Sequence, residues 1–343
     1  YSYSKTKIPV NKVKDCEKHK RIFHNKKWHE LTNYKTEPPH IFIGRGVHPL
    51  RGTCKFGIDI KDVTVNMFNE KTHQVNGVIK YVNKPNVNWA SSWTDPLTKK
   101  EKYVTIINNN NKDKFDLARL LKRNISKVHI MNMEYIIQSK IKNKQLALAC
   151  HLIEKLGIRV GNEKNNDESE TIGCCTLEKN THVKVVNAAK RWIRLDFKGK
   201  DGIPFARTIV LDQPMFEAFV LIFQSPSKLL FDEINPQMLN RYLDRIIPGL
   251  SAKVFRTFQA SNEFQKELFK HNDLMRGNLK AAMFCNHRKQ HNKQYIPNLI
   301  TSRQNYIDPR IYFAHIKRNP SNAKSNWFEN AAWAQNVDAN FKF

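Results

Sequence analysis

The stretch TSRQNYIDPRIYF, residues 301–313, sets one tyrosine, Tyr306, between Asn305 and an Ile-Asp-Pro-Arg run with the form of a helix start. Read alone, such a tyrosine is a half-buried packing residue with a polar tip. The charge of the chain suggests a sharper role. Lys and Arg number 58 against 31 Asp and Glu, a formal charge of +27 in 343 residues. An excess of that size points to a polyanionic partner. Metal-free chemistry on a phosphodiester needs protein cations against the transition-state charge, a nucleophile, and a proton for the departing oxygen. Residues of these types, on elements expected to be ordered, include Arg159, Lys200, Arg256, His287 and Tyr306. Composition alone does not choose these five from 58 basic residues.

Signals for other chemistry are missing from the sequence. No G-x-x-x-x-G-K-[ST] loop for ATP occurs. GRGVHP fails the dinucleotide fingerprint, because Pro49 stands where the third Gly belongs, and HELTN has Asn33 where a zincin needs its second His. No D-x-D pair suggests a two-metal nuclease. Cys285 and His287 have half of a metal-site spacing and no partner pair. The expectation is therefore a protein without nucleotide, metal or other cofactor. The apolar run MFEAFVLIF contains Glu217 and is too short to span a bilayer, so no membrane partner is expected. Six irregularly spaced cysteines, two of them adjacent (Cys174 and Cys175), suggest free thiols in a reducing compartment. No secretory signal is visible, and the chain begins with Tyr1 rather than Met, which leaves its natural N-terminus open.

The elements that must hold the candidate residues are of two kinds, and the expected fold is α+β. Residues 1–34 are Lys-rich and weakly periodic, a basic arm. Residues 35–111 are dense in Gly, Pro and β-formers, a β-rich lobe with Trp89 and Trp93 as core residues, ending at the polar run Asn108–Lys112. Residues 112–287 form a mainly helical core with a small three-stranded sheet. In KQLALACHLIEKLG, Leu148, Leu152, Ile153 and Leu156 make one stripe, with Gly157 as C-cap. THVKVV, RWIRLDF and FARTIVL pattern as strands around the turn Gly199–Gly202. Asn235 and Pro236 start a further helix and Ser251 caps the next, on which Arg256 lies off the Phe255/Phe258 stripe and is expected to stand free. GNLKAAMFCNHRKQ reads as one more helix. Residues 288–300 are a short linker, and residues 301–343 carry Tyr306.

The words EPPHIFIGRGVHP, LGIRVGNEK, TIGCCTL, LDFKGKD, LSAKVFRTFQAS, CNH and TSRQNYIDPRI, in this order, resemble eukaryotic-type DNA topoisomerase IB. They run from about residue 34 to the C-terminal segment. The resemblance implies a tyrosine-recombinase-like catalytic fold, and a clamp of a β-rich lobe and a helical lobe around duplex DNA. Carried over by position, the active-site pentad falls on Arg159, Lys200, Arg256, His287 and Tyr306. Tyr306 would attack a phosphodiester to leave a 3′-phosphotyrosyl link and a free 5′-hydroxyl. Arg159, Arg256 and His287 would stabilise the non-bridging oxygens, and Lys200 would serve as general acid. DNA contacts are implied for Arg45, His48, Lys102, Asp201 and Asn305, of which Arg45, Asp201 and Asn305 match contacts of camptothecin-type inhibitors.

This sequence departs from the family pattern in three places. Only about fifteen residues, Arg288 to Ser302, bridge CNH and the tyrosine segment, too few for the family's long coiled-coil linker. Much of the family's cap before EPP has no counterpart here, and Ile43 stands where an arginine is usual, which on the resemblance removes a phosphate contact. Two alternatives stay open at this stage. A tyrosine recombinase shares the chemistry, although Lys253 holds the place where those enzymes have a His. A catalytically inactive DNA clamp is the other. The expected protein is a monomeric, nuclear, DNA-relaxing enzyme, with a viral or organellar DNA compartment as the other setting.

Overall fold

A computed structural model describes residues 21–24, 26–32, 39–42, 49–69, 77–85, 87–106, 112–161, 172–291, 294–324, 326–329 and 331–343. The chain forms two units, Tyr1–Gly44 with Leu50–Asn109 and Arg45–Pro49 with Asn110–Phe343.

In the first unit, β1 (Arg21–His24) and β2 (Lys27–Thr32) form a hairpin, followed by β3 (His40–Ile41), β4 (Cys54–Lys55), β5 (Thr64–Asn66), β6 (Lys80–Val82), β7 (Trp89–Thr94) and β8 (Glu101–Ile106). The main sheet has the order β1-β2-β8-β7-β5-β6, parallel only between β5 and β6. The hairpin β1–β2 thus takes part of the expected basic arm into the sheet. Its core holds Val65, Phe68, Val78, Ala90, Trp93 and Val104. Trp93 is buried as expected, whereas Trp89 is half-buried and packs on Tyr103. The β7–β8 ladder shifts register between Trp89 and Ser91, and β7 buries the adjacent Ser92 and Trp93 side by side, against strict alternation. Beneath the turn after β7, the Lys55 ammonium meets the buried Asp95 carboxylate at 2.6 Å. Burial pushes that carboxyl up, but hydrogen bonds from Lys55 and Thr98 outweigh it and hold it at about 2.

The second unit is mainly helical: α1 (Lys112–Arg123), α2 (Ile125–Ile137), α3 (Ile141–Leu156), then β9 (Val183–Asn187), β10 (Trp192–Lys198) and β11 (Pro204–Val210), then α4 (Gln213–Phe223), α5 (Pro236–Ile246), α6 (Ala252–His271) and α7 (Leu274–Phe284). A hairpin of β12 (Arg288–His291) and β13 (Gln294–Pro297) leads to α8 (Leu299–Asn305) and α9 (Pro309–Arg318). The α+β expectation holds, with the three-stranded sheet in the order β11-β10-β9. On β10, Ile193, Leu195 and Phe197 face inward and Arg194 and Asp196 outward, as a period of two requires.

Helix α3 is the hub of the core. Leu146 to Ile153 are buried on nearly every side except at His151, so its apolar surface is far wider than the expected stripe. It ends where Gly157 takes φ 63° and returns its N–H to Ile153. That left-handed geometry favours glycine, and a Cβ there would meet the Phe284 ring at 2.5 Å. Asp212, Asn235, Asp273 and Asp308 cap α4, α5, α7 and α9 through their side chains, whereas Ser251 precedes α6 without a side-chain cap bond. Helix α7 stops at Phe284 instead of running through CNHRKQ. Asn286 adopts φ 51° and His287 returns its N–H to Ala282, which closes the helix end and turns the chain into β12.

Candidate active site

Five short pieces of chain from different elements meet at the C-terminal ends of α3 and α7. Arg159 follows Gly157 directly. Its carbonyl accepts from Cys174 N–H at 2.8 Å and that of Val160 from Cys175 N–H at 2.7 Å, so IRVG and TIGCC run side by side. They lie close enough that a Cβ on Gly173 would stand 2.4 Å from Gly161 Cα and 2.9 Å from the Arg159 carbonyl. Ile172 N–H bonds Lys198 at the end of β10, and from there the chain enters the tight turn Lys200–Gly202. Three of the words noted in the sequence are thus neighbours in space. Cys174 and Cys175 are buried, and burial pushes their thiols up, the second to about 12.

A cavity of about 400 Å³ opens between these pieces. Arg159, Lys200, Arg256, His287 and Arg288 line it together with Phe197, Phe205, Asn286, Asn298 and Thr301, and among the described residues no carboxylate lines it. Arg159 and Lys200 are exposed. Arg256 differs from expectation. It lies off the Phe stripe of α6, but β12, the α7 terminus and the Tyr306 turn close over it, and it is 5% exposed. Burial lowers its pKa from the ordinary guanidinium value. Its Nη2 donates to the Cys285 carbonyl at 2.7 Å and to His287 Nε2 at 3.0 Å, while its Nε has no partner among the described residues.

His287 is buried with its Nδ1 2.6 Å from Ser302 Oγ. A guanidinium only donates, so Nε2 accepts, and the ring proton sits on Nδ1 and is given to Ser302. Burial, reinforced by the charges of Arg256 and Arg159, pulls the imidazole down from 6.5 to about 3.

Tyr306 ends α8. It is 6% exposed, with its ring 4.9 Å from that of His287 and beneath the Arg256 guanidinium at 5.2 Å. It does not line the cavity but forms the layer behind it. Its turn is fixed from α6, where Ser261 Oγ donates to the Tyr306 carbonyl at 3.0 Å and accepts from Asp308 N–H at 2.9 Å. Asp308 pairs with Arg310 at 2.7 Å, and Arg310 reaches Asp116 of α1 at 2.6 Å.

The structure therefore gathers Arg159, Lys200, Arg256, His287 and Tyr306 around one cavity. Asn305 is exposed beside Tyr306 and donates to the Thr301 carbonyl, and the backbone of Asp201 lies in the Lys200 turn. Lys102 is exposed on β8 in the other unit. Arg45, His48 and Ile43 lie outside the described residues. Sequence reasoning missed Ser302, Ser261, Asp308, Arg288 and Arg207. The two serines lie inside words already noted, TSRQNY and FQAS, where their placement beside residues that need fixing was the available signal. Arg288 and Arg207 gave none among so many basic residues. Among the described residues no three His, Cys, Asp or Glu side chains group as metal ligands, and no helix is long and apolar enough to cross a membrane.

Comparison with known proteins gives this arrangement a class. The family model of the eukaryotic DNA topoisomerase I catalytic core matches residues 103–309. The DNA-binding fragment of the same enzymes matches residues 2–106, and a C-terminal topoisomerase domain matches residues 277–343. The chain belongs to the eukaryotic DNA topoisomerase I family. It is 33% identical to DNA topoisomerase 1 alpha of Arabidopsis thaliana over 296 residues, 78% of this chain and 31% of that protein. With DNA topoisomerase 1 of Candida albicans it shares 30% over 312 residues, 82% of this chain and 39% of the relative. With the Homo sapiens protein of that name it shares 30% over 326 residues, 86% and 42%. The chain thus spans between about a third and two-fifths of the length of these relatives.

Proposed function

We propose that this chain is a type IB DNA topoisomerase, which relaxes supercoiled duplex DNA through a transient single-strand break. The observation that carries the reading is the Arg256 guanidinium, shared between His287 Nε2 and the Tyr306 ring at the edge of a cavity whose described lining carries cations and no carboxylate. A phosphodiester entering that cavity meets Arg159, Arg256 and Lys200, and the unpartnered Nε of Arg256 has a donor to give.

The Tyr306 phenol oxygen then forms a bond to phosphorus and gives its proton to water, while the bond from phosphorus to the 5′ oxygen breaks. Lys200 protonates that oxygen. The product is a 3′-phosphotyrosyl link with a free 5′-hydroxyl, and attack by the hydroxyl reverses it after strand rotation. The bond energy stays in the phosphotyrosine, so religation needs no nucleotide. In the free protein His287 accepts from Arg256 and does not donate from Nε2. A bound phosphate offers Arg256 a stronger acceptor, and its negative charge favours the proton on Nε2 that His287 needs to reach a non-bridging oxygen. Tyr306 comes forward from the layer behind the cavity in the same step, since its ring rests on the two groups that turn toward the phosphate.

The same reading makes duplex DNA the partner and phosphates the main contacts, with Lys102, Arg45 and His48 among the cations that track the backbone. It places camptothecin-type inhibitors at the nick against Arg45, Asp201 and Asn305, and the protein in the nucleus as a monomer. Relaxation of a negatively supercoiled plasmid in EDTA without nucleotide tests it. The expected result is a ladder of topoisomers ending in relaxed circles. A strict need for ATP or for added metal rejects it.

A further inference from the structure

The two helix ends that launch the site are joined by a residue the reaction does not use. Arg207 lies on β11, half-buried, outside the five candidate residues. Its Nη1 donates to the Leu156 carbonyl, the last of α3, at 2.8 Å. Its Nη2 donates to the Phe284 carbonyl, the last of α7, at 2.9 Å, and also to that of Met283. The guanidinium also lies over the ring of Phe205, at 5.0 Å, and over that of Phe284, at 5.6 Å. Arg159 begins three residues after Leu156, and His287 three residues after Phe284. One planar cation therefore ties together the starts of two catalytic segments and anchors both to the sheet that ends in the Lys200 turn.

The charge suits the place. The last carbonyls of a helix carry its negative end and lack intrahelical donors, so here two negative ends share one cation. Only a fork of fixed donors reaches both, because an ammonium on the same stem is a single point. The neighbouring Gly157, where a Cβ would strike the Phe284 ring, shows how closely the two ends approach.

We infer that Arg207 is a positioning residue for the cleavage step, setting the separation of Arg159 and His287 across the cavity. The inference rests on the proposed reaction. Displacement of a catalytic group by about 1 Å costs up to roughly a hundredfold in rate, so Arg207→Ala is expected to slow single-turnover cleavage of a nicking substrate by about ten- to a hundredfold. Duplex affinity, measured in parallel at fixed salt, is expected to change by less than about threefold, since Arg207 makes its bonds inside the protein. Arg207→Lys keeps the charge and loses the fork, so it is expected to remain slow.

The deciding comparison is a double-mutant cycle with His287→Ala. If Arg207 acts through His287, the pair loses clearly less than the product of the single losses. Losses that multiply, or an Arg207→Lys variant as fast as the parent, overturn the inference. A readout independent of turnover separates its failure from that of the proposed reaction. Ring ¹⁵N resonances of His287 in the free parent protein are expected to report the neutral Nδ1–H form, and in Arg207→Ala to move toward a mixture of tautomers. Unchanged resonances overturn the positioning role even if cleavage proves to belong to another residue. A parent protein that fails to cleave, with those resonances moving in the variant, rejects the reaction and keeps the tie between the helix ends.

Discussion

At the scale of the residue, His287 carries the most information, because two of its neighbours define its proton. With Arg256 donating to Nε2 and Ser302 accepting from Nδ1, the ring is held neutral and its pKa drawn to about 3 against 6.5 when free. The sign for stability follows from linkage. Between pH 3 and 6.5 the unfolded chain takes up a proton on His287 that the folded chain refuses. The contribution is therefore complete above pH 6.5 and lost as the pH falls through that window. The difference in unfolding free energy between the parent and His287→Asn should be largest near neutral pH and shrink toward acid, as read by urea titration. A difference that is constant with pH contradicts the depressed value. Lys200 is tested by chemistry. Lys200→Ala should slow cleavage by about two to three orders of magnitude, a loss of the size seen for one transition-state donor. A substrate with a 5′-bridging sulfur should restore the rate, because a thiolate leaves without protonation. Failure of that rescue removes Lys200 from the general-acid role.

At the scale of the element, the site depends on close backbone approach more than on long side chains. Gly173 is the tightest point, since any Cβ there meets backbone atoms of Gly161 and the Arg159 carbonyl, which cannot swing aside. Gly173→Ala should destabilise the protein by about 1–3 kcal/mol, the usual range for overpacking, and slow cleavage by displacing Arg159. Full stability in a thermal melt would show that the two segments separate freely. Such contacts explain what the sequence discloses and what it hides. Periodicity showed α3 and its Gly157 end, and Asn235-Pro236 showed the start of α5, because caps and stripes are local. Local pattern also extended α7 too far, since the left-handed Asn286 and the return bond from His287 are set by packing on α6 and β11. The hairpin β12–β13 falls where the sequence shows only the end of a helix and a short linker, because its exposed strands bury little and so show no alternation. Arg256 looked free on its own helix, and only the elements that fold over it make it buried. The five candidate residues became legible through the order of seven words. The bonds of His287 to Ser302 and of Tyr306 to Ser261, and the tie of Arg207 to the ends of α3 and α7, did not, because they run between separate segments of the chain.

At the scale of the whole molecule, the net charge of +27 is the governing quantity. Binding carried by phosphate contacts releases counterions, so duplex affinity should fall by about three to five orders of magnitude between roughly 50 and 200 mM salt if six to ten phosphates are neutralised. A flat profile in a salt series of equilibrium titrations contradicts a phosphate-tracking surface. The central claim, however, is that Tyr306 becomes joined to DNA. Incubation with supercoiled plasmid, a quench in denaturing detergent, and peptide mapping of the protein–DNA adduct test it directly. The account predicts an adduct through Tyr306 on a 3′-phosphate, with the 5′-hydroxyl free for labelling by a kinase, and none from Tyr306→Phe although that variant still binds duplex. An adduct mapped to another residue, or trapped undiminished by Tyr306→Phe, contradicts it.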